Sequence, residues 1–216
     1  MSGGAVLLPE HRADFKRSGL SASTIEMSGA YSLTQLEAKR LLEFDPGSGG
    51  WVLPYPHREG LPDTIDFKPD TPFMGNDGKS RKYLKPINSL NRIYIPPTLP
   101  MERLQSKRET LVITEGAKKA LKAVQEGVIC VALSGVWNWK FRDGMNDSRT
   151  IEDLGDVWLK GREVLIIFDS DVVTKPSVAA AEFQLAKKLR ELGAAKVESV
   201  RIPSGTDGEK VGLDDF

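Results

Sequence analysis

Three acidic side chains have the type and spacing to do chemistry. Glu115 closes the apolar run "LVITEG", and Asp169 and Asp171 close "EVLIIFDSD". Each has a local reading. An acid beside Gly116 suits the first turn of a helix, where the dipole favours it. Either aspartate could cap a helix that follows. Two of them one residue apart, with a third on another strand, fit that reading poorly. Like charges about 4 Å apart repel by roughly 4 kcal/mol at an intermediate dielectric, and a divalent cation between them reverses the sign. The only histidines are His11 and His57, and Cys130 is the single cysteine. A metal would therefore be held mainly by oxygen, which favours Mg²⁺, Mn²⁺ or Ca²⁺ over zinc. Mg²⁺ commonly takes one or two carboxylates, several waters and substrate phosphate oxygens. Glu115, Asp169 and Asp171 are thus the candidate metal-holding residues.

The elements that position them lie in the second half of the chain. "LVITEG" predicts a short buried strand. "GAKKALKAVQEG" predicts an amphipathic helix with Ala117, Ala120, Leu121 and Val124 on one side. "VICVALSG", "EVLIIFDSD" and "AKVESVRIP" predict three more strands, and "SVAAAEFQLAKKLRELG" a long helix. Apolar strands alternating with helices indicate α/β architecture, a mostly parallel sheet with helices on both faces. In such sheets ligands collect at the carboxyl ends of the strands, where these acids fall.

The first half differs in texture. Residues 8–44 read as helices, with Ser32 and Gln35 as a capping box and Leu33, Leu36, Leu41 and Leu42 as an apolar stripe. "DPGSGG" at 45–50 is a turn. "WVLPYP", "TIDFKPD", "RKYLKP" and "RIYIPP" read as strands of a small, irregular antiparallel sheet. The expected division is an N-terminal α+β basic subdomain over residues 1–108 and a catalytic domain over 109–216. Charge follows this division. There are 15 Lys and Arg against 12 Asp and Glu up to Arg108, and 15 against 18 beyond it. Such a bias suits one part that holds phosphates and another that holds metal.

In "GKSRKYLKPINSLNRIYIPP", Arg81, Lys82 and Lys85 flank Tyr83. A basic strand with an aromatic can hold a nucleic-acid backbone or nucleotide phosphates; the plainer alternative is a solvated strand face. Lys68 in "DFKPD" is a further candidate. "GKS" is no P-loop, because Phe73 stands where that motif needs its first glycine. Trp137 and Trp139 in "GVWNWKF" either stack on a base or pack against the neighbouring loop.

Composition is that of an ordinary globular protein of 216 residues, 40% apolar and 28% charged. No run of roughly 18–20 apolar residues could span a membrane. "MSGGAVLLPEHRADF" lacks the basic and apolar regions of a signal peptide. A cytoplasmic location with no membrane partner is expected. Cys130 alone excludes an intramolecular disulfide and most zinc sites, and reads as a small buried hydrophobe.

A strand ending "TEG", a helix, and a strand ending "DSD" resemble the toprim domain shared by bacterial-type primases, topoisomerases and some nucleases. The phrases "SGLS", "FKPD", "KYL", "TEGAKKALKA", "LSGVWNW", "FDSD" and "GLDDF" extend the resemblance along nearly the whole chain. It is to the toprim-like primase module of phage, plasmid and other mobile-element replication proteins. The resemblance implies a catalytic role for Glu115, as general acid/base or metal-poised residue, and Mg²⁺ or Mn²⁺ on Asp169 and Asp171. "GLDDF" falls where primases carry a further acidic element. Gly212 and Leu213 replace its first Asp and its Pro, so Asp214 matches first and Asp215 second, with a solvated tail as the alternative. "RKYLKP" resembles the primase "KYLNSP" element, which places Lys82 at the family's lysine, with Arg81 and Lys85 as basic neighbours. The implied partners are a single-stranded DNA template, ribonucleoside triphosphates and a replicative helicase domain or protein. The implied activity is RNA primer synthesis by a nucleotidyltransferase. A toprim nuclease and a catalytically silent single-stranded DNA-binding module are the alternatives. The zinc module of bacterial-type primases cannot be built from one cysteine. The chain also stops one residue after its last acidic pair, and a fragment of a larger primase-helicase is the expectation.

Overall fold

A computed structural model describes residues 6–57, 59, 63–143, 147–150, 153–156, 159–207 and 209–215. The chain divides into two compact units, Met1–Leu90 and Asn91–Phe216.

The first unit begins with helix α1 (Pro9–Arg17) and helix α2 (Ala22–Met27). Pro9 starts α1, where its missing N–H costs nothing. Ser21 caps α2 by accepting from the Thr24 N–H. Strand β1 (Tyr31–Leu33), helix α3 (Gln35–Leu42), strand β2 (Gly50–Pro54) and strand β3 (Ile65–Pro69) follow. The strands pair antiparallel in the order β1-β2-β3. Strands β4 (Phe73–Met74) and β5 (Ser80–Arg81) form a separate antiparallel pair. Ala38, Leu42, Val52, Phe67 and Leu84 make one buried cluster, and Phe15 packs on Trp51 at 4.7 Å between ring centroids.

Two sequence expectations are corrected here. The capping box is Thr34 with Glu37, not Ser32 with Gln35. Ser32 lies in β1, its Oγ accepting the Leu8 N–H and meeting His11 Nδ1 at 2.6 Å, while His11 Nε2 reaches Asp70 at 2.7 Å. Of the expected apolar stripe, Leu36 alone is exposed; Leu42 is buried with Ala38, and Leu33 and Leu41 pack half-buried against the same cluster.

The second unit is built on one five-stranded sheet. Its strands are β6 (Ile93–Tyr94), β7 (Leu111–Glu115), β8 (Cys130–Leu133), β11 (Glu163–Ile167) and β12 (Lys196–Val200), in the order β12-β11-β7-β8-β6. Four strands run parallel and only β6 is antiparallel. Helices α4 (Met101–Gln105), α5 (Ala117–Gln125), α6 (Asp153–Asp156) and α7 (Pro176–Glu191) accompany it, with a hairpin of β9 (Lys140–Asp143) and β10 (Asp147–Thr150). This is the mostly parallel α/β arrangement that the apolar strands predict. "RIYIPP" is a correction: its strand joins this sheet through β8, not the small N-terminal one. β6 and α4 precede residue 109 yet belong to the second unit.

The core collects Ile113, Val131, Leu133, Ile166, Phe168, Leu185 and Leu189, among others. Two buried arginines fasten its margins. Arg92 donates to Asp153 at 3.1 Å, and Asp153 also accepts the Ile93 N–H at 2.7 Å. Arg162 donates to the carbonyls of Leu104 and Glu109, satisfying the open C-terminal end of α4. Cys130 is fully buried, and burial pushes its thiol far above its ordinary range. No helix among the described residues is long and apolar enough to cross a membrane.

Candidate functional site

β7 and β11 are parallel neighbours, with Thr114 opposite Ile167, so Glu115 and Asp169 leave the sheet at the same rim. Gly116 turns the chain from β7 into α5 with φ of 95°, a backbone setting that suits only glycine well. Glu115 therefore ends a strand, and the first turn of α5 carries no acid. Asp169 precedes a 3₁₀ turn, Ser170–Val173, but its side chain makes no capping bond. The local readings of both residues thus fail on geometry.

What surrounds the acids is cationic. Asp169, with its side chain 5% exposed, is held by Lys119 Nζ at one oxygen and by Lys210 Nζ at the other, at 2.7 Å. Lys210 also reaches Asp171 at 3.1 Å, and Lys175 pairs with Asp171 at 2.7 Å. Burial alone would raise the Asp171 carboxyl, but the hydrogen bonds from Lys175 and Lys210 hold it below its ordinary range. Burial and the neighbouring Asp169 raise Glu115, and Lys119 and Lys210 offset this only in part. Glu115 accepts no side-chain hydrogen bond among the described residues.

The segment 209–215 closes over this rim. Ser170 donates its N–H to the Val211 carbonyl at 3.0 Å, and Val211 returns its N–H to Ser170 Oγ at 2.9 Å. A Cβ at Gly212 would meet Lys119 Cε at 2.5 Å and Asp214 Oδ1 at 2.8 Å. The segment thus lies directly over the end of the Lys119 side chain, with the Asp214 carboxylate near the same point. Asp215 is turned to a local task, accepting the Gly212 N–H at 2.7 Å.

The donor chemistry fits a hard divalent ion: Glu115 is a half-buried carboxylate whose charge the nearby lysines offset only in part, and Asp169 and Asp171 offer further oxygens. Their spacing is that of carboxylates arranged around ammonium groups. Among the described residues, no three His, Cys, Asp or Glu side chains are grouped closely enough to hold a metal ion. Lys119, Lys175 and Lys210 are the residues that sequence reasoning missed. Lys175 lies four residues after Asp171, and Lys119 lies in the first turn after Glu115-Gly116; both spacings were readable. Lys210 arrives only through the tertiary fold.

In the first unit the four candidate cations separate into two kinds. Lys68 pairs with Asp14 at 2.7 Å, and Asp14 also accepts the Trp51 Nε1–H at 3.0 Å. Lys85 pairs with buried Asp66 at 2.9 Å and lies 4.5 Å over the Tyr55 ring. Arg81 and Lys82 are exposed; Arg81 has only a 3.6 Å approach to Asp77, and Lys82 lies 5.5 Å over Tyr83. A pocket of ≈ 220 Å³ is lined by Lys68, Asp70, Ser80, Arg81 and Lys82 together with Pro69 and Pro72. Trp139 is buried and Trp137 half-buried, with Lys140 4.6 Å over the Trp137 ring.

The fold is that of the toprim-containing RNA polymerase domains of bacterial primases. It superposes on the Aquifex aeolicus primase, in a structure of its zinc-binding and RNA polymerase domains, with a TM-score of 0.63 at 16% identity. That match covers 97% of this chain and 52% of the other, so the chain spans about half the length of that protein. The RNA polymerase domain of Mycobacterium tuberculosis primase DnaG gives 0.61 at 15% identity, covering 94% and 70%. A DnaG primase catalytic domain bound to single-stranded DNA gives 0.58 at 13%, covering 96% and 68%. Such likeness establishes the fold. The chain belongs to the family described as "Domain of unknown function (DUF3854)", whose model matches residues 103–216. No curated protein matches it.

Proposed function

We propose that this chain is the catalytic core of a DNA primase, a nucleotidyltransferase that makes short RNA primers on single-stranded DNA from ribonucleoside triphosphates. One observation carries the reading: Glu115 and Asp169 leave adjacent parallel strands at one rim, in a fold shared with primase RNA polymerase domains. Asp169 and Asp171, with Glu115 and Asp214, would hold Mg²⁺ or Mn²⁺; Asp215 supports the turn that presents Asp214. A bound ion would neutralise charge on the triphosphate during in-line attack by the primer 3′-hydroxyl. Glu115, kept ready to hold a proton by burial and by Asp169, is placed to act as general acid or base. Arg81 and Lys82 contact template or triphosphate, while Lys68 and Lys85 shape the surface that carries them. The N-terminal unit is the phosphate-contacting part and the second unit the catalytic one. We assign the protein to cytoplasmic replication of a phage or plasmid, alongside a helicase domain or protein.

The test is incubation with single-stranded templates, ribonucleotides and Mg²⁺ or Mn²⁺. Growth of RNA products, lost in Asp169→Asn, supports the reading. Shortening of the labelled strand instead identifies the nuclease. A second reading, a silent single-stranded DNA-binding module, draws on the three lysines that already neutralise Asp169 and Asp171. It predicts salt-dependent binding with no metal-dependent turnover.

A further inference from the structure

The acidic rim carries its own cations, and they are not equivalent. Lys119 is confined beneath Gly212 and is only 17% exposed in its side chain. Lys175 is 58% exposed and touches Asp171 alone, from four residues along the same turn. Lys210 is 51% exposed and joins both aspartates at once, at 2.7 and 3.1 Å. It rides on the segment 209–215, which is joined to Ser170 by two hydrogen bonds and packs on α5 through Gly212. A monovalent ammonium thus takes up the oxygens that a divalent ion would need.

We propose that Lys210 is a tethered counter-cation that a divalent metal must displace from Asp169 and Asp171, so that metal entry and release of the Lys210 side chain are one event while its segment stays on the rim. The proposal rests on the metal-dependent reading of this rim. Its chemistry is plain competition. One hard cation replaces another at the same carboxylates, and no bond other than ionic contacts and hydrogen bonds changes. Once released, the ammonium lies next to the metal's position and matches the charge of a substrate phosphate. Lys119 stays in place, because the segment's glycine and the α5 helix fix it from two sides.

The test is Mn²⁺ binding to the full chain by calorimetry and by electron paramagnetic resonance, without nucleotide. Lys210→Met should tighten Mn²⁺ by about five- to tenfold, the effect of removing one half-exposed competing charge. Lys175→Met should tighten it by about twofold or less, and Lys210→Arg should leave it unchanged or weaker. Lysine ammonium NMR of the wild-type chain gives a readout that needs no variant. Saturating Mg²⁺ should move the Lys210 signal away from its carboxylate-bound position and leave Lys119 in place. Equal Mn²⁺ affinity in wild type and Lys210→Met overturns the proposal while leaving the metal-dependent reading intact. Equal tightening by Lys210→Met and Lys175→Met also overturns it, since bulk charge would then explain both. Absence of Mn²⁺ binding in every form removes the metal-dependent reading and the proposal together.

Discussion

The acidic rim of the second unit and the basic surface of the first pair their charges in opposite ways. In the first unit Lys68 and Lys85 sit against buried partners, Asp14 and Asp66, and against the Trp51 and Tyr55 rings. Those contacts hold α1, β2 and β3 together. Arg81 and Lys82, a few residues away, are left to solvent. At the rim, Asp169 and Asp171 are mostly buried while Lys210, on both, and Lys175, on Asp171, reach in from solvent. In the first unit the buried pairs are structural and Arg81 and Lys82 stand apart from them. At the rim the carboxylates are the more buried members, and two of their three cations, Lys175 and Lys210, are exposed. A cluster of like charges in a sequence therefore does not by itself say which members are available to a ligand; burial of the partner decides it.

The largest effect that would break this contrast is at Asp169. Asp169→Asn should lower primer synthesis by about 10³-fold, since a metal ligand contributes several kcal/mol of charge stabilisation, with secondary structure unchanged by circular dichroism. Next is Lys68→Ala. It leaves Asp14 with one cation fewer in a mostly buried place, and should cost about 2 kcal/mol in urea unfolding. That is less than for a fully buried pair, because Lys68 is 25% exposed. Activity lost in Lys68→Ala with stability intact would place Lys68 among the ligand-contacting cations instead. Arg81→Ala should do the reverse, changing stability by less than about 0.5 kcal/mol. It should also weaken single-stranded DNA binding uniformly across sequences, with a salt slope lower by about one contact.

The smallest effect concerns pH. Glu115 has a folded pKa raised above its unfolded value, so the folded state binds its proton more readily. That proton-linked stability is present at acid pH and is lost as pH rises through the raised value. Glu115→Gln should therefore be more stable than wild type at neutral pH, and the difference should shrink as pH falls towards the ordinary carboxylate range. Asp171 carries the opposite sign, adding stability above its unfolded pKa that is lost as pH falls through its lowered folded one.

Much of the sheet was legible because parallel strands buried on both faces leave continuous apolar runs. "LVITEG" and "EVLIIFDSD" needed no tertiary information to be read as strands ending in acids. The short N-terminal elements were harder. Ser32 and Thr34 both have acceptor hydroxyls near a helix start, and the choice fell to Thr34 because β1 pairs with β2 through Ser32 and Trp51. The strand at Ile93–Tyr94 is two residues long, and nothing local says which sheet it joins. At the site, the carboxylates were visible as strand endings. The lysines were not, because Lys210 is 39 residues from Asp171 along the chain and meets it only through the link between Val211 and Ser170.

Asp169 and Asp171 are proposed to bind a divalent ion in place of an ammonium. A crystal soaked in Mn²⁺ and measured for anomalous scattering tests it most directly. A peak between the two carboxyl groups is expected, with the Lys210 side chain moved away from both. A map with no peak at this rim, and Lys210 still joined to Asp169 and Asp171, would contradict it.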